Sequence, residues 1–168
     1  MASPRHFLLI ILTFTTAVIV AAWGFQVIGG YQPCGLCYQQ RQPYYVAIPV
    51  ALIAIFFWKK IFSNPLMQKG ALTLLLLIFG FSAFLAGRHA GVEWEWWLGP
   101  GNCAAGDLSG FGDGQSLIEA LENTTVAFCD EAALRIFGLS FAGWNFIASV
   151  MLMAFAALGL RETLRKTA

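Results

Sequence analysis

The sequence predicts an all-α integral membrane protein, a four-helix bundle with a long outer loop between its third and fourth helices. Three observations predict it. Of the 168 residues, 58% are hydrophobic and 11% are charged, against about 25% charged in a soluble domain. Four apolar stretches, at about 7–28, 36–57, 70–87 and 139–160, each come near the roughly 20 residues that a spanning helix needs. The basic residues also sort by side: Arg5, Lys59, Lys60, Lys69, Arg161, Arg165 and Lys166 flank the stretches on one side, and only Arg41, Arg88 and Arg135 fall on the other.

By the positive-inside rule the first side is cytoplasmic, which puts both termini there and the loop at about 88–138 outside. Eight of the nine acidic residues lie in that loop. The first apolar stretch exceeds the roughly 7–15 residues of a signal-peptide core and reads as a retained helix. A net charge of +1 gives no basic surface for nucleic acid. The expected organisation is one membrane domain over residues 1–168, embedded in a lipid bilayer.

Along the chain, Gly29-Gly30 and Pro33 break the first helix before Cys34, and Ser63-Asn64-Pro65 makes an inner turn. The third helix is expected to end near Arg88-His89. Trp94, Trp96 and Trp97 follow as anchors in the headgroup zone, where an indole buries its ring and keeps its N–H wet. Leu117, Ile118 and Leu121 recur at helical spacing, and Cys129 to Arg135 reads as a further short helix. A loop of about 50 residues that holds half of the cysteines is longer than a plain connector requires.

The chemistry concentrates at Cys34-Gly35-Leu36-Cys37. If the second helix starts near Leu36, Cys37 lies in its first turn, where the positive end of the helix dipole favours a thiolate. Gln40 and Arg41 follow at i+3 and i+4 on the same side, one turn deeper. An intramembrane arginine costs roughly 2.5–3.5 kcal/mol on insertion scales and so marks function; beside a thiol it suits an anionic, electron-accepting ring. Cys103 and Cys129 form the second pair, in the outer loop. All four cysteines fall on the non-cytoplasmic side, where disulfides persist, and they allow three pairings.

Other readings of these cysteines stay open on the residues alone. They could form purely structural disulfides in a non-catalytic scaffold, or a four-cysteine zinc site, although zinc sites usually need a second close pair. Covalent haem is excluded, because Tyr38 stands where a histidine is required. His89 ends the third apolar stretch and would face Arg41 if that helix packs on the second. No resident metal is expected.

Pro-Cys-x-x-Cys with Gln40-Arg41, His-Ala-Gly-Val-Glu-Trp (89–94), Gly-Pro-x-x-Cys (99–103), Cys-Asp-Glu (129–131) and Gly-Leu-Ser-x-Ala-Gly-Trp-Asn (138–145) together resemble the DsbB family of bacterial inner-membrane enzymes, over essentially the whole chain. The resemblance implies a thiol:quinone oxidoreductase that keeps the periplasm oxidising. Its partner would be a DsbA-like periplasmic thioredoxin-fold oxidase, and its electron acceptor ubiquinone or menaquinone. The partner would attack the Cys103–Cys129 disulfide at Cys103, and Cys129 would attack Cys34. Cys37 would then deliver electrons to the quinone beside Arg41, with Gln40 and His89 close by. Some members carry glutamate where this chain has Gln40. A vitamin K epoxide reductase-like protein is a poorer match, because there the membrane cysteine pair follows the loop pair.

Overall fold

In a computed structural model, residues 3–60, 63–99 and 129–166 are described. They form four helices: α1 (Pro4–Val27), α2 (Gly35–Phe56), α3 (Pro65–Glu93) and α4 (Phe141–Arg165). A two-stranded antiparallel ladder, β1 (Arg135–Ile136) with β2 (Leu139–Ser140), precedes α4.

Local chemistry sets the helix starts. Pro4 opens α1, where a missing N–H costs nothing. Asn64 caps α3 by accepting the Leu66 N–H at 2.9 Å, with Pro65 as its first residue. Ser140 caps α4 by accepting the Gly143 N–H at 3.1 Å. In α2 the capping position belongs to Cys34, whose sulfur takes the Cys37 N–H at 3.3 Å. The α1–α2 turn passes through Gly30 at φ +71°, a left-handed conformation that glycine adopts without strain.

Three helices, α1, α3 and α4, are long and apolar enough to cross a membrane. The expected second span is a helix of matching length but not of matching composition. Gln39, Gln40, Arg41 and Gln42 crowd its first turns, and Pro43 and Pro49 lie inside it. Interior prolines cost backbone hydrogen bonds, so α2 depends on its neighbours to remain helical.

Two other expectations are corrected. The third helix runs on through His89 to Glu93, because both side chains are buried against other elements and hold the last turn in place. Residues 129–134 bend without forming a helix, and the chain then turns through the ladder. That turn has positive φ at both Phe137 (52°) and Gly138 (82°), as in a type I′ hairpin. Trp144 Nε1 donates to the Ile136 carbonyl at 3.0 Å and ties the hairpin to α4. The helical spacing at 116–123 lies outside the described residues.

The helices pack in a ring, α1 on α2, α2 on α3, α3 on α4 and α4 on α1, with the α3–α4 contact the most extensive. Leu8 and Ile11, Ala47 and Ala54, Leu72, Leu75 and Phe79, and Leu152 and Ala156 meet at its centre. Among lipid tails such contacts gain dispersion rather than release of water, so small residues that permit close approach carry much of the packing. Gly159 is one of them: a Cβ there would lie 3.1 Å from both Phe7 and Leu72. Gly159→Val is expected to destabilise the protein by about 1–3 kcal/mol through overpacking, read as a lower midpoint of thermal unfolding in detergent.

Candidate active site at the start of the second helix

The site forms where the N-terminus of α2 meets the C-terminus of α3 and the cap of α4. Cys34 and Cys37 carry free thiols with their sulfurs 2.7 Å apart. One turn of helix brings them together, since Cys34 caps the helix and Cys37 sits in its first turn. The Cys34 thiol is held far below its ordinary value, at about 4. The Cys37 side chain, donating to it, is the main cause, and His89 and the Cys37 backbone N–H act in the same direction against the cost of burial. In the reduced pair the negative charge therefore rests on Cys34.

Cys129 is 1% exposed and packs with Cys34 and Leu36 in one buried cluster, with Cys37 against it. Cys129 thus lies beside the Cys34–Cys37 pair. Cys129 is disulfide-bonded. Cys103 lies outside the described residues.

His89 is 3% exposed. Its Nε2 is 3.7 Å from Cys34 Sγ and 3.8 Å from Glu93 Oε1, and its Nδ1 is hydrogen-bonded to the side-chain nitrogen of Gln40. Glu93 in turn accepts the hydroxyl of Ser140. Gln40 Oε1 accepts Asn145 Nδ2–H at 2.6 Å, and Asn145 Oδ1 accepts the hydroxyl of Tyr44. Tyr44 continues to Ser149 at 2.9 Å and Ser149 to Ser82 at 2.8 Å.

Arg41 takes another direction. Its guanidinium donates to Gln26 Oε1 at 2.6 Å and to the Ala22 carbonyl at 3.4 Å, both on α1, and lies over the rings of Trp23 and Tyr38. The expectation that His89 faces Arg41 is therefore corrected. Successive helical residues project about 100° apart, so Gln40 turns to α3 and α4 while Arg41 turns to α1.

Between α1, α2 and α4 lies a cavity of about 320 Å³. Cys37, Gln40, Arg41, Tyr44 and Asn145 supply its polar wall, and Phe25, Tyr31 and Phe141, in mutual ring contact, cover part of its apolar wall. His89 does not line it and stands behind Gln40. An apolar pocket of this size with a few converging polar groups suits a flat organic ring. Cys34, Cys37 and His89 also place their donor atoms within 4.8 Å of one another, a set able to ligate a thiophilic ion.

The sequence reading missed Tyr44, Glu93, Ser140 and Asn145, and Gln26 beside Arg41. Two signals pointed to Glu93 and Asn145: the i,i+4 spacing of His89 and Glu93, and the polar Asn145 and Ser149 one turn apart in an apolar run.

The model of the family described as disulfide bond formation protein DsbB matches residues 4–159. The chain belongs to the DsbB family. A disulfide bond formation protein B of Polaromonas sp. (strain JS666 / ATCC BAA-500) is 30% identical over 163 residues, covering 95% of this chain and 90% of that one. The protein of the same name from Paracidovorax citrulli (strain AAC00-1) is 29% identical over 154 residues, covering 90% and 83%. Protein RP370 of Rickettsia prowazekii (strain Madrid E) is 24% identical over 153 residues, covering 89% and 84%. No solved structure matches the chain. Membership of DsbB makes disulfide bond formation the activity, and a disulfide-forming oxidoreductase the class of enzyme.

The depressed Cys34 thiol gives a direct check. Thiolate ultraviolet absorbance of the reduced protein should persist through neutral pH and fall only as pH drops toward about 4. His89→Ala removes one lowering cause and should move that midpoint upward.

Proposed function

We propose that this protein is a thiol:quinone oxidoreductase of the bacterial inner membrane that reoxidises a DsbA-type periplasmic dithiol oxidase. The observation that carries the reading is the burial of Cys129 against Cys34, with Cys37 on the wall of a cavity that also holds Arg41. The proposed architecture is a four-helix membrane bundle. Its termini are cytoplasmic and its long loop is periplasmic, so that α2 enters the bilayer at the Cys34 end.

The relay runs in three exchanges. A thiolate of the reduced partner attacks Cys103 of a Cys103–Cys129 disulfide, and Cys129 leaves with the bonding electron pair. Cys129 attacks Cys34 of a Cys34–Cys37 disulfide, and Cys37 leaves as a thiolate into the cavity wall. The partner's second thiol resolves its mixed disulfide with Cys103 and departs oxidised, while Cys103 regains its thiol. Each step forms one S–S bond and breaks another, as thiol–disulfide exchange requires.

A quinone, ubiquinone or menaquinone, would supply the acceptor for the two electrons and two protons that the dithiol gives up. The cavity fits such a ring. Apolar walls from α1 and α4 exclude water, the Arg41 guanidinium provides fixed positive charge, and Tyr44 and Asn145 add polar contacts. Arg41 is held in place by Gln26, Ala22, Trp23 and Tyr38, with no carboxylate partner among the described residues, so among these residues its charge is left to an anionic ligand. His89 acts on Cys34 rather than on the cavity.

A second reading is favoured by one observation, the Cys34–Cys37–His89 donor cluster. It makes the site a zinc centre in a structural protein. Stoichiometric zinc in the purified protein, with no thiol turnover, would replace the relay by that reading.

The deciding experiment follows quinone reduction by a reduced DsbA-type partner in detergent. Turnover that vanishes in Cys37→Ser is the expected result, and no turnover by the folded wild-type protein with either quinone would overturn the proposal. Arg41→Ala should lower quinone reduction by about 10²-fold, the typical cost of losing one preorganised charge-stabilising group. Mixed-disulfide formation through Cys103, trapped with a partner that lacks its second, resolving thiol, should be unchanged by it. Equal loss of both half-reactions would refute the separate role of Arg41.

A further inference from the structure

We propose that Gln40, braced by Asn145, is a positioning residue that fixes the tautomer of His89, holding the ring proton on Nε2 and aimed at Cys34. The inference deepens the relay reading and rests on it for its purpose, while its geometry stands on the hydrogen-bond network alone.

A neutral imidazole carries one proton, and the bond made by one nitrogen decides the role of the other. Here Nδ1 meets the N–H side of the Gln40 amide. That amide is not free to turn over. Its oxygen accepts Asn145 Nδ2–H at 2.6 Å, and the oxygen of Asn145 accepts the Tyr44 hydroxyl. Ser149 and Ser82 complete the chain behind Tyr44. Two amides in series can satisfy this chain in two senses: one gives His89 its proton on Nε2, the other, with both amides turned, on Nδ1.

The surroundings of Nε2 select the first sense. Nε2 faces Cys34 Sγ at 3.7 Å and Glu93 Oε1 at 3.8 Å. Glu93 already accepts the Ser140 hydroxyl through its other oxygen, and Cys34 already accepts the Cys37 N–H. A bare Nε2 would confront two acceptors in a dry site. A protonated Nε2 donates to Cys34 Sγ and turns its positive edge toward Glu93 Oε1. The hydroxyl chain accommodates either sense, and the acceptors around Nε2 decide the tautomer.

The consequence falls on Cys34. When Cys103 attacks Cys129 of the Cys34–Cys129 disulfide, the Cys103–Cys129 bond forms, the Cys34–Cys129 bond breaks and its electron pair stays on Cys34. Nε2–H is then donated to that sulfur, and no proton leaves the ring. Glutamate at position 40 would do the opposite, because its oxygens only accept and would draw the ring proton to Nδ1. Gln40 in this chain is therefore no neutral stand-in for a carboxylate.

The test reads the tautomer directly, by nitrogen NMR of ¹⁵N-histidine-labelled, reduced protein in detergent at alkaline pH, with His6→Gln as the background. Wild type is expected to show His89 protonated on Nε2 and bare on Nδ1. Gln40→Glu should reverse this while keeping the Asn145 bond, and should raise the pH midpoint of the Cys34 thiolate absorbance. Asn145→Ala should populate both tautomers. A wild-type proton on Nδ1, or a Gln40→Glu ring still protonated on Nε2, would overturn the proposal, and an unchanged single tautomer in Asn145→Ala would overturn the bracing role. The readout needs neither partner nor quinone, so failure of the relay and failure of this inference are told apart.

Discussion

Gln40 carries one carbonyl and one amide group into an interior where an unbonded polar group is costly, and both are bonded across helix boundaries. That constraint ties α2 to α3 through His89 and to α4 through Asn145. It fixes the rotation of α2 and the axial register of the other two helices, since sliding either by one residue would leave an amide unpaired. Apolar contacts between alanines and leucines could tolerate such a slip far better. The polar chain from Ser82 to Glu93 therefore selects one arrangement of helices whose dispersion contacts alone specify it weakly.

The rotation of α2 then divides the chemistry. On one side Gln40 and Cys34 face a buried set of acid, imidazole and hydroxyl groups. On the other Cys37 and Arg41 face a cavity with aromatic walls. Two cysteines one helical turn apart are thereby given different environments. Cys34 caps the helix and collects hydrogen bonds suited to an anion, while Cys37 borders the space where an acceptor would sit. The same sulfur that starts the helix is the one on which Cys129 packs.

The cap of α4 links this centre to the segment that begins at Cys129. Ser140 ends the ladder, accepts a backbone N–H of α4 and donates to Glu93. Residue 129 enters the same corner, beside Cys34. A short hairpin with two positive-φ residues makes this possible, because it turns the chain sharply enough to bring the segment after Cys129 into line with a membrane helix.

The sequence by itself determined the helical class, the apolar stretches, the CxxC at a helix start and Arg41 one turn deeper, because these depend on composition and on spacing along one helix. It also carried the motifs that mark the family. It did not determine where the third helix stops, since burial of His89 and Glu93 extends it, nor that residues 129–134 are not helical. Only the tertiary structure decided that Gln40 and Arg41, neighbours in the chain, serve different partners, and that Asn145, Tyr44, Glu93 and Ser140 belong to the site. The reason is physical: a hydrogen bond between helices depends on their relative rotation and register, and neither is written in the periodicity of any one of them.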